Sequence, residues 1–239
     1  LIYSKNLSHV DFVNDIIDWF KGLFSSNDEP PKQAKSFTPP YPKTPYGQRD
    51  QPDLYDIPED LAKFIVRWFV SSGMSLEGAS ATAGNLWRES YFNPTQLQII
   101  SGKPIGPGRG LAQWTDSTLT KKPTDDGRQR WDHYNDEFFP MLKSSHSFWK
   151  NSKIDDLEPQ LAYIVYEMRE KFPGVWRNMT SPGSVSQKAI DVLKKYEISK
   201  DRDKKEEQNF RSNLAERIYK IANNDKMLKQ MIAKRKAGK

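Results

Sequence analysis

The chain has 239 residues, is 36% hydrophobic and carries a net charge of +6, which allows one sizeable core in one or two domains. It has no cysteine, which excludes disulfides, cysteine nucleophiles and thiolate metal sites together. The histidines are His9, His133 and His146, none at ligand spacing from another, so neither a metal site nor a cofactor is expected. No window carries the roughly 18 apolar residues that a membrane span needs.

The charge is unevenly spread. Lys and Arg against Asp and Glu number 6 against 8 in residues 1–56, 18 against 17 in 57–199, and 13 against 6 in 200–239. Basicity is therefore a C-terminal property, compatible with an anionic partner, nucleic acid or cell wall, and equally with a solvated charged helix. The near-neutral middle offers no broad basic face, so nucleic acid is not required as a partner. The chain starts at Leu1 rather than Met, as a processed product or a fragment would.

In chain order, residues 8–24 read as an amphipathic helix. Val10, Val13, Ile17, Phe20 and Phe24 form one face, and Asp11, Asp15 and Asp18 lie opposite. So short a helix needs a surface to dock on, and its acidic polar face favours a protein over a membrane. Residues 1–28 are assigned to this docking element. Residues 29–56 contain Pro30-Pro31, Pro39-Pro40-Tyr41-Pro42 and Thr44-Pro45 and read as an extended linker.

The main domain is expected over 57–222. Pro58-Glu59-Asp60 suits a first helical turn. Leu61, Phe64, Ile65, Trp68 and Phe69 supply an apolar face, and Gly73 ends it. A second helix runs from Ser75 to about Ser90. Residues 93–110 hold four glycines and three prolines and read as a hairpin or irregular lobe. Further helices are expected at about 128–143, 156–171, 184–197 and 203–222, followed by a basic tail at 223–239. The fold class is mainly α with a small hairpin lobe.

The chemistry concentrates in Gly84-Asn85-Leu86-Trp87-Arg88-Glu89-Ser90-Tyr91-Phe92-Asn93-Pro94. A helix with the small residues Ala79, Ala81, Ala83 and Gly84 can pack closely in a core, and Asn93-Pro94 stops it. Glu89 then stands where a rigid element opens into a cleft, beside Trp87, Tyr91 and Phe92. Apolar surroundings disfavour the charged carboxylate, as a general acid requires. Cleaving a glycosidic bond needs such an acid, because the leaving oxygen must be protonated. In the second segment, Gly108-Arg109-Gly110-Leu111-Ala112-Gln113-Trp114-Thr115, Gln113 offers a donor and an acceptor to sugar hydroxyls and Trp114 a stacking face. Either segment alone is also compatible with ordinary packing.

Together, Glu-Ser-Tyr-Phe-Asn-Pro and Gly-Leu-Ala-Gln resemble the pattern of lysozyme-like lytic transglycosylases. The longer pattern, Gly-Asn-Leu-x-x-Glu-Ser-x-x-Asn-Pro followed by Gly-x-Gly-Leu-x-Gln-Trp-Thr, resembles the phage tail lysozyme family more closely. Phe69 to Ser75, Leu161 to Met168 and Ala189 to Glu197 extend the similarity over roughly 57–222. It departs where Ile198-Ser199 stand in place of Arg-Pro.

The resemblance implies a lysozyme-like fold and an enzyme that cleaves the β-1,4 bond between MurNAc and GlcNAc of peptidoglycan, as a hydrolase or a lytic transglycosylase. Glu89 matches the catalytic acid. Ser90, Tyr91, Asn93, Gln113 and Trp114 match the substrate-binding segments, with Tyr163 and Tyr196 as further cleft candidates. No Asp or Glu lies between Glu89 and Asp116, so Asp116 is the nearest candidate for a second carboxylate in sequence. Glu167 is expected to be a buried structural carboxylate. The resemblance also implies a virion tail or ejected protein that opens the wall during genome delivery, tethered to other tail proteins through residues 8–24. The alternatives are a lysozyme-like domain of a bacterial secretion or conjugation machine, and a peptidoglycan-binding structural component without activity.

Overall fold

The computed structural model describes residues 56–98, 106–116, 118, 130–145 and 147–237. The expected docking helix and all of the linker except Asp56 lie outside these residues. The described chain is mainly helical with one two-stranded sheet, the lysozyme-like composition that the sequence implied.

Helix α1 spans Glu59–Ser71. Pro58 sits at its N-cap, Glu59 and Asp60 face the positive end, and Leu61, Ile65, Trp68 and Phe69 are buried. Gly73 makes the turn that follows at φ +114°, a region closed to most side chains. Helix α2 spans Leu76–Ser90, with Ser75 Oγ accepting from the Gly78 amide at 3.0 Å as its N-cap. The helix ends before Asn93-Pro94: Tyr91 takes the left-handed conformation at φ 54°, and its N–H donates to the Trp87 carbonyl.

Strands β1 (Gly108–Arg109) and β2 (Trp114–Thr115) pair antiparallel, Gly108 opposite Thr115 and Arg109 opposite Trp114. An isolated bridge joins Leu97 to Arg109. This is the expected small lobe. Helix α3 runs as Arg130–Asp132, a π-helical stretch His133–Phe138, and Phe139–Ser145. Helix α4 is Leu157–Glu170, and α5, Pro173–Thr180, has no counterpart among the expected elements. Helix α6, Val185–Val192, continues as the π-helical turn Leu193–Glu197. Helix α7 is Lys205–Asn223 and α8 is Lys226–Ala237. The basic C-terminal segment is thus helical and docked. Leu228 is buried, Asp225 pairs with Arg67 at 2.5 Å, and Arg235 donates to the Gly73, Val70 and Met74 carbonyls that close α1.

Helix α2 is central and packs on α1, α6 and α7. Its small residues allow this. A Cβ at Gly84 would lie 2.8 Å from the Cα and N of Ala215 in α7, closer than real contacts allow. Gly84→Ala should therefore push α7 outward and lower unfolding stability by about 1–3 kcal/mol, measured by urea denaturation.

Candidate functional site

Glu89 is the penultimate residue of α2, and its side chain is 16% exposed. The aromatic residues next to it in sequence turn away. Trp87 and Phe92 are buried in the core, with ring centroids 5.1 Å apart, and Tyr91 meets Trp87 edge-on. The immediate partner of Glu89 is Arg211 of α7, whose guanidinium donates to Oε1 at 2.5 Å. Arg211 is itself buried. It donates to the Asn85 carbonyl at 3.0 Å and to Glu207 Oε1 at 2.8 Å. Glu207 in turn takes two hydrogen bonds from Arg88, whose guanidinium lies over the Phe210 ring. Burial alone would raise the Glu207 carboxyl, but Arg88 and Arg211 together hold it below its ordinary value.

A second network forms the floor. Glu167 in α4 accepts from Trp114 Nε1 at 2.9 Å, from the Tyr196 hydroxyl at 2.8 Å and from Arg130 through Nε and Nη2 at 2.6 and 2.7 Å. Arg130 also donates to the Tyr196 carbonyl at 3.1 Å and lies 4.4 Å above the Tyr196 ring. Burial works against the Arg130 charge, but Glu167 outweighs it and its proton is held more tightly than usual. Glu167 is thus the buried, hydrogen-bonded carboxylate expected from the sequence.

Between the two networks lies a cleft of about 980 Å³. Glu89, Arg88 and Arg211 contribute one wall, Gly108, Gln113 and Thr115 the lobe side, and Glu197 to Asp201 the far edge. Volumes of this order hold extended small ligands. Glu197 is the last residue of the π-helical turn, and Ile198 behind it is left-handed at φ 53°, a strained conformation for a β-branched residue. The Oε1 atom of Glu197 is shielded from solvent and has no hydrogen-bond partner in the protein. Burial, and then the neighbouring Glu89 carboxylate, push Glu197 up to about 8 against the opposing pull of Arg130 and Arg211.

The residues expected from the sequence divide. Glu89, Gln113, Trp114 and Tyr163 border the cleft. Trp114 and Tyr163 do so from the core, each about 1% exposed, with Trp114 committed to Glu167 and Tyr163 donating to the Arg130 carbonyl. Gln113, left-handed at φ 49°, donates to the Gly110 and Gln96 carbonyls while its Oε1 is unpartnered. The other five do not border the cleft. Ser90 is buried and donates to the Leu86 carbonyl. Tyr91 forms the helix end, and Asn93 accepts from the Thr95 amide and hydroxyl in a turn. Asp116 accepts from the Thr118 amide and hydroxyl and faces Arg109 at 3.5 Å. Tyr196 is fully buried on Glu167.

Sequence reading gave no site role to Glu197, Arg211 or Arg130, Glu197 entering it only as the end of the Ala189 to Glu197 segment. One signal was present for Arg211: it sits on the apolar stripe of α7 with Leu214, Ala215, Ile218 and Ala222, where a charge needs a buried partner. Among the described residues, no group of three or more His, Cys, Asp or Glu could hold a metal ion, and no helix is long and apolar enough to cross a membrane.

Residues 60–221, about two thirds of the chain, match the family model described as phage tail lysozyme. The chain belongs to the phage tail lysozyme family. No curated protein and no solved structure matches it. Membership supports a lysozyme-like role acting on peptidoglycan. In this family member the cleft lies within the matched span, and α8 lies beyond it.

Two outcomes follow from these networks. Glu167→Ala leaves Arg130 buried without its counter-charge and should cost about 3–5 kcal/mol in chemical denaturation. Glu197, raised above its ordinary 4.5, contributes most to stability below that value, and the contribution is lost as pH rises to about 8. The melting temperature of Glu197→Gln should accordingly exceed that of the parent at pH about 8.5, with the gap closing by pH about 4.

Proposed function

We propose that the protein cleaves the β-1,4 bond between MurNAc and GlcNAc in peptidoglycan, with Glu89 as the acid/base, to open the wall locally during phage genome delivery. The observation that carries this reading is the position of Glu89. Its carboxyl stands in the wall of an open cleft, on the end of the central helix α2, and the hairpin lobe with Gly108, Gln113 and Thr115 lines the same cleft. A rigid base and a polar wall are what holding a sugar chain across one carboxyl requires.

In the reaction, the Glu89 carboxyl gives its proton to the leaving glycosidic oxygen as the C1–O bond breaks and its electron pair passes to that oxygen. Water then adds hydroxyl to C1 and returns a proton to Glu89. In a transglycosylase, the sugar's own 6-hydroxyl closes on C1 and returns the proton in the same way. The exposed Lys171 and Lys200 at the cleft edge add positive charge facing an anionic wall polymer. Other tail proteins are proposed to hold the enzyme through residues 8–24.

Glu89→Gln should reduce clearing of purified cell walls by roughly 10²–10⁴-fold with an unchanged circular dichroism spectrum. Equal clearing by the two proteins would refute the assignment. Mass spectrometry of the products separates the two endings: reducing ends alone mean hydrolysis, and 1,6-anhydro ends mean transglycosylation.

A further inference from the structure

In the resting cleft, Glu89 is the anionic partner of Arg211, so a proton must reach it before it can act as an acid. Asp116, the nearest acid in sequence, is spent on Thr118 and Arg109 outside the cleft. Glu207 lines the cleft but is neutralised by Arg88 and Arg211, and Glu167 is saturated by Trp114, Tyr196 and Arg130. Glu197 is different. It borders the same cleft as Glu89, its Oε1 is buried without a partner, and it ends a π-helical turn capped by the strained Ile198.

We propose that Glu197 is the second functional carboxyl of the cleft, forming with Glu89 a pair that carries a single proton at neutral pH. The proposal rests on the glycan-cleaving reading above and adds the source of its proton. The groups acting on Glu197 come from four helices: Glu89 of α2, Arg130 of α3, Glu167 of α4 and Arg211 of α7. Two like charges so placed cannot both ionise freely, so one proton stays with the pair. Burial and the Glu89 charge keep it on Glu197 while Arg211 occupies Glu89, which places the titration of the pair near 8. When the glycosidic bond breaks, the pair delivers its proton through Glu89 to the leaving oxygen. It is left with two negative charges, which Arg130 and Arg211 flank. The attacking water or 6-hydroxyl then returns one proton. Glu197 in this scheme is a positioning residue for the proton, acting through Glu89. His133, Lys171, Lys200 and Asp201 border the same cleft.

The test is the pH profile of wall clearing by the full chain and by Glu197→Gln. The parent should lose activity on an alkaline limb near pH 8. Without the Glu197 carboxyl the group that holds the proton up to about pH 8 is gone, so the limb should move to lower pH. At pH about 7 the variant should be at least ~10-fold less active, recovering to within about threefold near pH 5. An unmoved limb, or an equal loss at every pH, would overturn the proposal, since a merely structural Glu197 gives one of those results. Carbon-13 NMR of labelled Glu carboxyls reads the pair without substrate. One carboxyl should titrate near 8, vanish in Glu197→Gln and move toward the ordinary Glu range in Glu89→Gln. If no Glu titrates above pH about 7, the pair does not exist. Because this measurement is independent of catalysis, failure of the pair and failure of the glycosidase reading are separable.

Discussion

The carboxylate of Glu167 collects hydrogen bonds from three segments that are distant in the chain: the hairpin lobe through Trp114, helix α3 through Arg130, and the end of α6 through Tyr196. An ionised carboxylate in a core is tolerable only when a cation and further donors surround it, and here both conditions are met. The arrangement fixes the lobe opposite α2 and sets the position of Tyr196. Glu197 follows as the next residue. Its place at the cleft edge is therefore decided by a buried acid whose oxygens are committed to Trp114, Tyr196 and Arg130.

A second chain of charges, Arg88–Glu207–Arg211–Glu89, ties α7 to the end of α2. Its effect is to place two carboxyls of one cleft in opposite surroundings. Glu89 receives a buried guanidinium, and Glu197 has a buried oxygen without a donor. Environments that drive two acids apart in this way are the physical basis of assigning one the proton and the other the charge. The strain at Ile198 and the π-helical turn before it lie beside the group with the least satisfied surroundings, as happens when local geometry is held by the rest of the fold.

Much of the helical framework was legible in the sequence. Stripes such as Leu61, Ile65, Trp68 and Phe69, the Ser75 cap and the small residues through Gly84 define α1 and α2 closely, because helix period, capping and close packing are local properties. The end of α2 at about Ser90 is read correctly from the sequence, but its cause is not. Asn93-Pro94 was read as the terminator, whereas Tyr91 ends the helix in a left-handed conformation that propensity disfavours and packing against Trp87 supports. Helix α5 escaped notice because it has only eight residues and buries only Val175 and Met179, too few for a periodic signal.

The sequence by itself determined the helical framework, the small lobe and the place of Glu89 at the end of α2, since each is written in contiguous residues. Its two paired motifs also carried the family. Only the tertiary structure decided which polar residues share a cleft. Trp114, Tyr163 and Tyr196 look like sugar platforms in one dimension, yet their rings are buried and their polar atoms bonded within the core. Arg211 and Glu197 lie more than a hundred residues from Glu89 along the chain and are joined to it by ion pairing and charge across the cleft wall. The physical reason is that helix formation depends on near neighbours, whereas the charge environment of a carboxyl depends on whatever folding brings within a few ångströms of it.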